Sequence, residues 1–386
     1  MILNNLLLIG GQAPVNIQVT GKRITGVLLQ PVPVGAGVLE LTFDRALIFP
    51  GLVNSHDHLD FNLFPMLGDK VYSNYTEWGR YLHENYKEEI SKVLKIPIGL
   101  REQWGIFKNL ICGVTTVVNH GQELQTKARP ITVHERYQCL HSVKFEKKWR
   151  MKLNNPLKLR DPVVIHTGEG TDDAAFLEVA ELLRWNLLGK KLVGIHGVSM
   201  SETQAKKFSA VVWCPESNFF LLNQTALIDT LKRNTSILFG TDSTLTGNWN
   251  IWDHLRLARK TALLGDRELY RTLNHNPSRV WKIQNDAVEP GAGADLVIVR
   301  TKDHRSDMDA FFSIEPKDIL LVLHQGNIRL FDVALLDQLQ QTDLSGFSRM
   351  NIDGVGKYVQ GDLAGLITNI KRYYPEAVFP VAAEMD

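Results

Sequence analysis

The pattern that most limits the fold lies between residues 113 and 243. Short apolar runs recur there: GVTTVVNH (113–120), DPVVIHTGEG (161–170), KLVGIHGVSM (191–200), SAVVWCPESN (209–218) and TSILFGTDS (235–243). Stretches of helical periodicity separate them. Continuous apolar runs suit strands buried on both faces, and such strands alternating with helices call for a parallel sheet. One helix is read in DDAAFLEVAELLRWNLLG (172–189), with Phe176, Val179, Leu182 and Leu183 on its buried face and Gly189 at its end. Another begins at SETQAKKF, where Ser201 and Gln204 have the spacing of a capping box.

The two ends of the chain differ from this middle. NLLLIG, NIQVTGKRITGVLLQ and VLELTF precede residue 49, and ADLVIVR and DILLVLHQGNIRLFDVAL follow residue 285. These read as strands, with TGK and QGN as turns. The shared β character predicts one small domain built from residues 1–48 and 285–386, beside a barrel of residues 49–284. A length of 386 residues accommodates both.

Composition removes several function classes. Lys and Arg number 43 against 42 Asp and Glu, so no basic surplus points to nucleic acid. No apolar run approaches the roughly 18–20 residues of a membrane span. MILNNLLLIGG lacks a basic flank and a small-residue cleavage site, and is read as a strand rather than a signal peptide. Cys112, Cys139 and Cys214 form no paired motif, which fits a reducing, cytoplasmic setting.

The polar residues of interest each follow an apolar run. His56 and His58 follow RALIFPGLVNS, and positions i and i+2 share one face of a strand. His120, His166, His196 and Asp242 close four later runs. In a parallel barrel these strand ends converge on one mouth. A lone histidine at such a place usually has a structural explanation; a set of five with an aspartate is harder to explain that way, because buried polar groups cost free energy unless paired. Imidazoles and a carboxylate are ligands suited to zinc or iron(II), and a catalytic metal lowers the pKa of water toward about 7. Glu169, three residues after His166, is placed to move a proton, and it also suits the start of the following helix. His83, His134, His141, His254, His275, His304 and His324 lack a strand-end context and are set aside. Residues 61–90 form a long aromatic loop of the kind that covers barrel mouths, with Phe61, Tyr72, Trp78 and Tyr81 either lining the pocket or packing the loop.

FPGLVNSHDHL, GVTTVV, HTGE, GIHGVSMS, VVWCPESNFFL, ILFGTDS and RTLNHNPSRVWKI with GAGADLVIV, in that order, resemble the amidohydrolase superfamily of metal-dependent hydrolases, in its deaminase and chlorohydrolase branch. GVTTVV is similar to that family's third strand. The resemblance implies an α/β fold: a distorted (β/α)8 TIM barrel with a small β-sandwich built from both termini. It implies His56, His58, His166 and Asp242 as ligands of one divalent metal ion, zinc first, with iron or manganese as alternatives. Glu169, His196 and Asp242 would be catalytic, and His120, Trp213, Asn218 and Trp78 would contact substrate. The expected reaction is hydrolysis of a C–N bond in a small molecule: deamination of a heterocycle or amidine, or cleavage of an amide. A homodimer rests on the resemblance alone.

The chain departs from that branch at Trp213, where a histidine usually precedes CPxSN, and in a strand-four region that looks trimmed. A cyclic-amidase branch with two metals and a carboxylated lysine would use Lys144. An inactive barrel serving as a binding protein is the alternative of another class, yet none of the expected ligands is missing.

Overall fold

In the computed structural model the alternation becomes two parallel sheets; the structure describes residues 1–30, 35, 37–126 and 129–383. Strands β1 (Leu52–Asp57), β2 (Val114–Asn119) and β3 (Thr132–His134) form the first sheet. Strands β4 (Gln138–Ser142), β5 (Val163–Thr167), β6 (Leu192–His196), β7 (Ala210–Trp213) and β8 (Ser236–Phe239) form the second. Each strand neighbours the next in sequence, and every residue of β1, β2, β5, β6 and β7 is buried. The fold is thus mixed α/β with parallel strands, as the continuous apolar runs require. GVTTVV forms the second of these strands, not the third. The region that looked trimmed holds both β3 and β4, in short three- and five-residue form.

The last strand returns to the first. The amides of Thr241 and Asp242, just past β8, both donate to the His56 carbonyl at 3.1 Å. Gly240 permits this approach, because a Cβ there would lie 2.8 Å from His56 Cβ and 2.9 Å from Val212 Cγ1.

The terminal strands join in one ten-stranded ladder. Glu40–Pro50 runs parallel to Ile2–Leu8 and antiparallel to Leu296–Val299, so the two ends of the chain meet along a single strand. Its side chains alternate between two cores. Ala46 and Ile48 pack with Leu3, Ile17 and Phe331, whereas Leu47 and Phe49 join the larger core beneath the parallel strands. The TGK and QGN turns separate Val15–Thr20 from Arg23–Leu28 and Ile319–His324 from Asn327–Asp332.

Four helices position the site. The aromatic segment after β1 folds into α1 (Tyr75–Asn85) and α2 (Lys87–Leu94), and α3 (Ile98–Ile111) packs beneath. Gly105 allows this close packing, since a Cβ would meet the Leu59 carbonyl oxygen at 2.2 Å. Asn74 caps α1 by accepting from the amides of Thr76 and Glu77. Helix α4 (Asp173–Trp185) is capped by Asp172, which accepts from Ala175 N at 2.9 Å. It buries Ala175, Glu178, Val179 and Leu182, a stripe that leaves Phe176 outside; that side chain is 41% exposed, contrary to the sequence reading. The capping box at Ser201 and Gln204 is present and opens a helix of only four residues. No helix among the described residues is long and apolar enough to cross a membrane. The three cysteines are unpaired.

Candidate metal centre and its cavity

His56 and His58 project from the end of β1 toward Asp242, with their Nε2 atoms 3.4 and 3.6 Å from Asp242 Oδ1. His58 Nε2 also lies 3.3 Å from His166 Nε2, at the end of β5. The His120 ring, past β2, is centred 4.3 Å from that of His166 and 5.3 Å from that of His56. His196 ends β6 and brings its Nε2 to 3.5 Å from Glu169 Oε1 and 4.0 Å from Asp242 Oδ2. Donor atoms of His56, His120 and His166 lie within 4.8 Å of one another, and so do those of His56, His196 and Asp242.

These groups are buried and poorly satisfied. Both nitrogens of His56, both of His120, and Nε2 of His196 lack a hydrogen-bond partner. Leaving such atoms unpaired is costly, and a cation would satisfy several together. The tautomers fit that role. His166 Nδ1 lies 2.8 Å from the His141 carbonyl, to which it donates, so its lone pair is on Nε2. His196 Nδ1 likewise lies 2.8 Å from Asn218 Oδ1, which leaves Nε2 free toward Asp242. Such partners orient metal-ligating imidazoles.

Burial favours the neutral form of His58, His120, His166 and His196. It lowers His58 to about 3, with the neighbouring His56 adding to the shift, and lowers His196 to about 4. His120 and His166 are pushed well below their ordinary value, by burial first, then by His56 and His58 around His120 and by His120 and His56 around His166. For Asp242 burial acts upward, but the nearby imidazoles, His56 first at 3.4 Å, outweigh it and hold the carboxylate well below its usual range. Ser217 Oγ and Thr246 Oγ1 donate to Asp242 Oδ2 at 2.8 and 3.0 Å. Glu169 moves the other way: burial first, then the charges of Asp242 and Glu178, raises it well above the carboxylate range. Clustered imidazoles around an ionised carboxylate form a donor set that fits a divalent metal ion.

Two of these residues have unusual backbone. His196 and Asp242 both adopt left-handed conformations, with φ of 69° and 58°. Such conformations away from glycine cost on the order of 1 kcal/mol and persist where surrounding contacts hold them.

A cavity of about 300 Å3 opens from the cluster. His58, His166, Glu169, His196 and Asp242 form its inner end, and Phe61, Phe64, Trp78, Leu82, Ile90 and Phe145 line its outer walls. Helix α1 is stitched to the loop carrying Glu169. Tyr75 N donates to the Glu169 carbonyl at 3.0 Å, Thr171 N donates to the Ser73 carbonyl at 2.8 Å, and Asn74 Nδ2 reaches Asp172 Oδ2 at 2.6 Å.

On the opposite side of β1 lies a second polar group. Asp57, between the two histidines, pairs with Lys108 Nζ of α3 at 2.9 Å, both fully buried. Asp57 also accepts from Asn62 at 2.8 Å, Asn109 at 2.7 Å and Asn54 at 3.2 Å. Asn54 Nδ2 bonds Thr241 Oγ1 at 2.8 Å, and its Oδ1 accepts from Thr241 N at 3.1 Å, tying β1 to the residue before Asp242.

The structure brings His56, His58, His166, His196, Asp242 and Glu169 together, and adds His120 to them. His120 is 2% exposed, away from the cavity lining, so it belongs among the clustered imidazoles rather than on the substrate wall. Trp213 is also off that wall. It is buried in the large core, edge-on to Phe239, with its Nε1 donating to Thr225 Oγ1 at 2.7 Å. Asn218, on α5 (Pro215–Leu222), holds His196 instead of lining the cavity. Trp78 and Phe61 do line it; Tyr72 and Tyr81 pack in a separate cluster. Lys144 is exposed beyond β4 and lies outside the lining. His141 had been set aside, yet it is in β4, lines the cavity and orients His166. Its signal in the sequence was weak, because QCLHS has no run of buried apolar residues. Asp57, visible between the two histidines, was the overlooked clue to the buried pair.

Residues 161–329 match the model of the amidohydrolase family. Over 379 residues the chain is 22% identical to a 5-methylthioadenosine/S-adenosylhomocysteine deaminase of Pyrococcus furiosus, covering 79% of this chain and 88% of that enzyme. The enzyme of the same name from Pyrococcus abyssi is 22% identical over 217 residues, 49% of this chain; the chain spans 51% of that relative's length. Among solved structures, an adenosine deaminase of Xanthomonas campestris with bound zinc superposes with a TM-score of 0.63 at 17% identity, over 97% of this chain and 98% of that one. The structural likeness extends along almost the whole chain, and the matched segment carries HTGE, GIHGVSMS, CPESN and GTDS in order. The sequence match to the amidohydrolase family thus covers residues 161–329, and the solved structure shares the fold along the chain.

Proposed function

We propose that this chain is a metal-dependent aminohydrolase, replacing an amino group on a small heterocycle or amidine with oxygen from water. One observation carries this reading: buried imidazoles with unpartnered nitrogens meet the Asp242 carboxylate beside Glu169, whose burial favours its protonated form, at the inner end of a cavity. We read residues 49–284 as the distorted (β/α)8 barrel, and residues 1–48 and 285–386 as the composite β domain. His56, His58, His166 and Asp242 would hold the ion, with His120 or His196 completing the set, and zinc is the first candidate. A bound divalent ion supplies the acidity that makes hydroxide available near neutral pH.

The remaining chemistry belongs to the side chains. Asp242 carries a carboxylate tied on one oxygen by Ser217 and Thr246, so its orientation is fixed when it accepts a proton from water. His196, held through Nδ1 by Asn218, presents Nε2 to the attacking oxygen. Burial favours the protonated form of the Glu169 carboxyl, which delivers its proton to the departing nitrogen. The water oxygen bonds to the carbon and the C–N bond breaks. The electron pair leaves with nitrogen, which takes the proton from Glu169 and departs as ammonia; of the two water protons, one stays on the product and the other, accepted by Asp242, restores Glu169. Helix α1, through Tyr75, fixes the backbone of Glu169 against the cavity.

Metal content by plasma mass spectrometry tests the reading, on protein purified without added metal and on His56→Ala and Lys144→Ala variants. The expected result is about one ion per chain, lost in His56→Ala and unchanged in Lys144→Ala, with ammonia released from a panel of aminated heterocycles. Absence of metal even after reconstitution sinks the mechanism. Two ions that depend on Lys144 would replace it with the binuclear cyclic-amidase scheme.

A further inference from the structure

The cavity is divided in its chemistry. Its inner end holds the imidazoles and carboxylates described above. Its outer walls, contributed largely by α1 and α2, expose carbon. The polar atoms of the aromatic wall are already engaged elsewhere. Trp78 Nε1 donates to the Leu67 carbonyl at 2.8 Å, and the Tyr75 hydroxyl lies 3.1 Å from both oxygens of the buried Glu178. Beyond the five inner residues and Tyr75, the polar side chains of the lining are His83, His141, Ser243 and Thr246, and Thr246 Oγ1 already donates to Asp242. No lysine or arginine is among the described residues that line the cavity. Its volume of about 300 Å3 is at the small end of the range for ligand sites.

We propose that the substrate is an uncharged compound with an apolar body, whose C–N end meets Glu169 and Asp242 and whose remainder lies against Phe64, Trp78, Leu82 and Ile90. This rests on the hydrolase reading and narrows its substrate class to ring amines carrying a short aliphatic or aromatic group. A carboxylate or phosphate in the outer cavity would lose its hydration without gaining a lysine or arginine partner there. Apolar groups there lose nothing polar and cover the exposed carbon of the walls.

The test is calorimetric titration of the metal-loaded protein with two cytosines that differ only at N1: 1-butylcytosine and 1-(3-carboxypropyl)cytosine. The butyl compound should bind at least about tenfold more tightly. Ile90→Arg and Leu94→Arg, at the half-buried and exposed edge of the cavity, should close or reverse that gap by supplying a cation. The use of two rim positions keeps the test valid if one variant misfolds. Equal affinities, tighter binding of the carboxylate, or binding of neither compound overturns the inference. Ammonia release is measured separately. A butyl preference without release from any ring amine supports the cavity's selectivity and sinks the hydrolase reading. Release accompanied by a carboxylate preference does the reverse.

Discussion

Strand β1 ends between two polar clusters that obey opposite rules. His56 and His58 face a group whose nitrogens lack partners, whereas Asp57 between them faces Lys108, Asn54, Asn62 and Asn109, with every contact at hydrogen-bond distance. Three consecutive residues therefore serve two purposes, because side chains alternate along a strand. The satisfied side holds geometry, and the unsatisfied side is where a ligand lowers the free energy. Burial alone does not distinguish the two; partner count does.

That contrast fails most visibly if Lys108 is removed. Lys108→Met leaves Asp57 as a buried charge without its cation and should cost about 3–5 kcal/mol of stability, read by urea unfolding. A cost below about 1 kcal/mol would mean that the asparagines alone carry the carboxylate. On the other side, Glu169→Gln should lower turnover by about 10²–10⁴-fold with metal content intact and no loss of stability. A matching fall in stability would move Glu169 from the working side to the structural one.

Glu178 sharpens the comparison by pH. Burial lifts its carboxyl to about 7 from an ordinary 4.5, against the opposing hydrogen bond from Tyr75. The folded chain therefore binds this proton more tightly than the unfolded chain. Between pH 4.5 and about 7 the folded state carries more protons, so this group's contribution to stability falls as pH rises through that window. Unfolding at about pH 5 and about pH 8 should reveal that slope, and Glu178→Gln should remove it. The smallest effect concerns backbone. Asp242→Gly and Asp242→Ala both delete the carboxylate, but only glycine relaxes the left-handed φ. The glycine variant should be the more stable by about 1 kcal/mol in thermal melts without metal.

The sequence made the unsatisfied side easier to read than the satisfied one. His56, His58, His166, His196 and Asp242 each close an apolar run, and the parallel arrangement gathers such strand ends. His120 was legible as a strand end, but its place among the clustered imidazoles was not, because that depends on how far β2 extends beside β1. Lys108 and Asn109 lie in REQWGIFKNL, where a charged residue on a helix is ordinarily read as solvent-facing. Their partner is Asp57, about fifty positions away, and local periodicity carries no information about that pairing. Trp213 had two readings, stacking on a planar ring or filling core, and its side chain leaves the strand on the core side, toward Thr225 and Phe239. The terminal strands were legible as strands, whereas their union into one ladder depended on the long strand Glu40–Pro50, which serves both ends.

The left-handed backbone at His196 and Asp242 bears on how such a chain responds to engineering. A campaign that screened only for heat tolerance would be drawn to glycine at both positions, since each change relaxes the main chain. It would also remove an imidazole and a carboxylate from the inner end of the cavity. The variants enriched would be sturdier proteins that had stopped working, and a melting curve would rank them first. Screening this scaffold for robustness therefore calls for an activity or metal-retention filter from the first round.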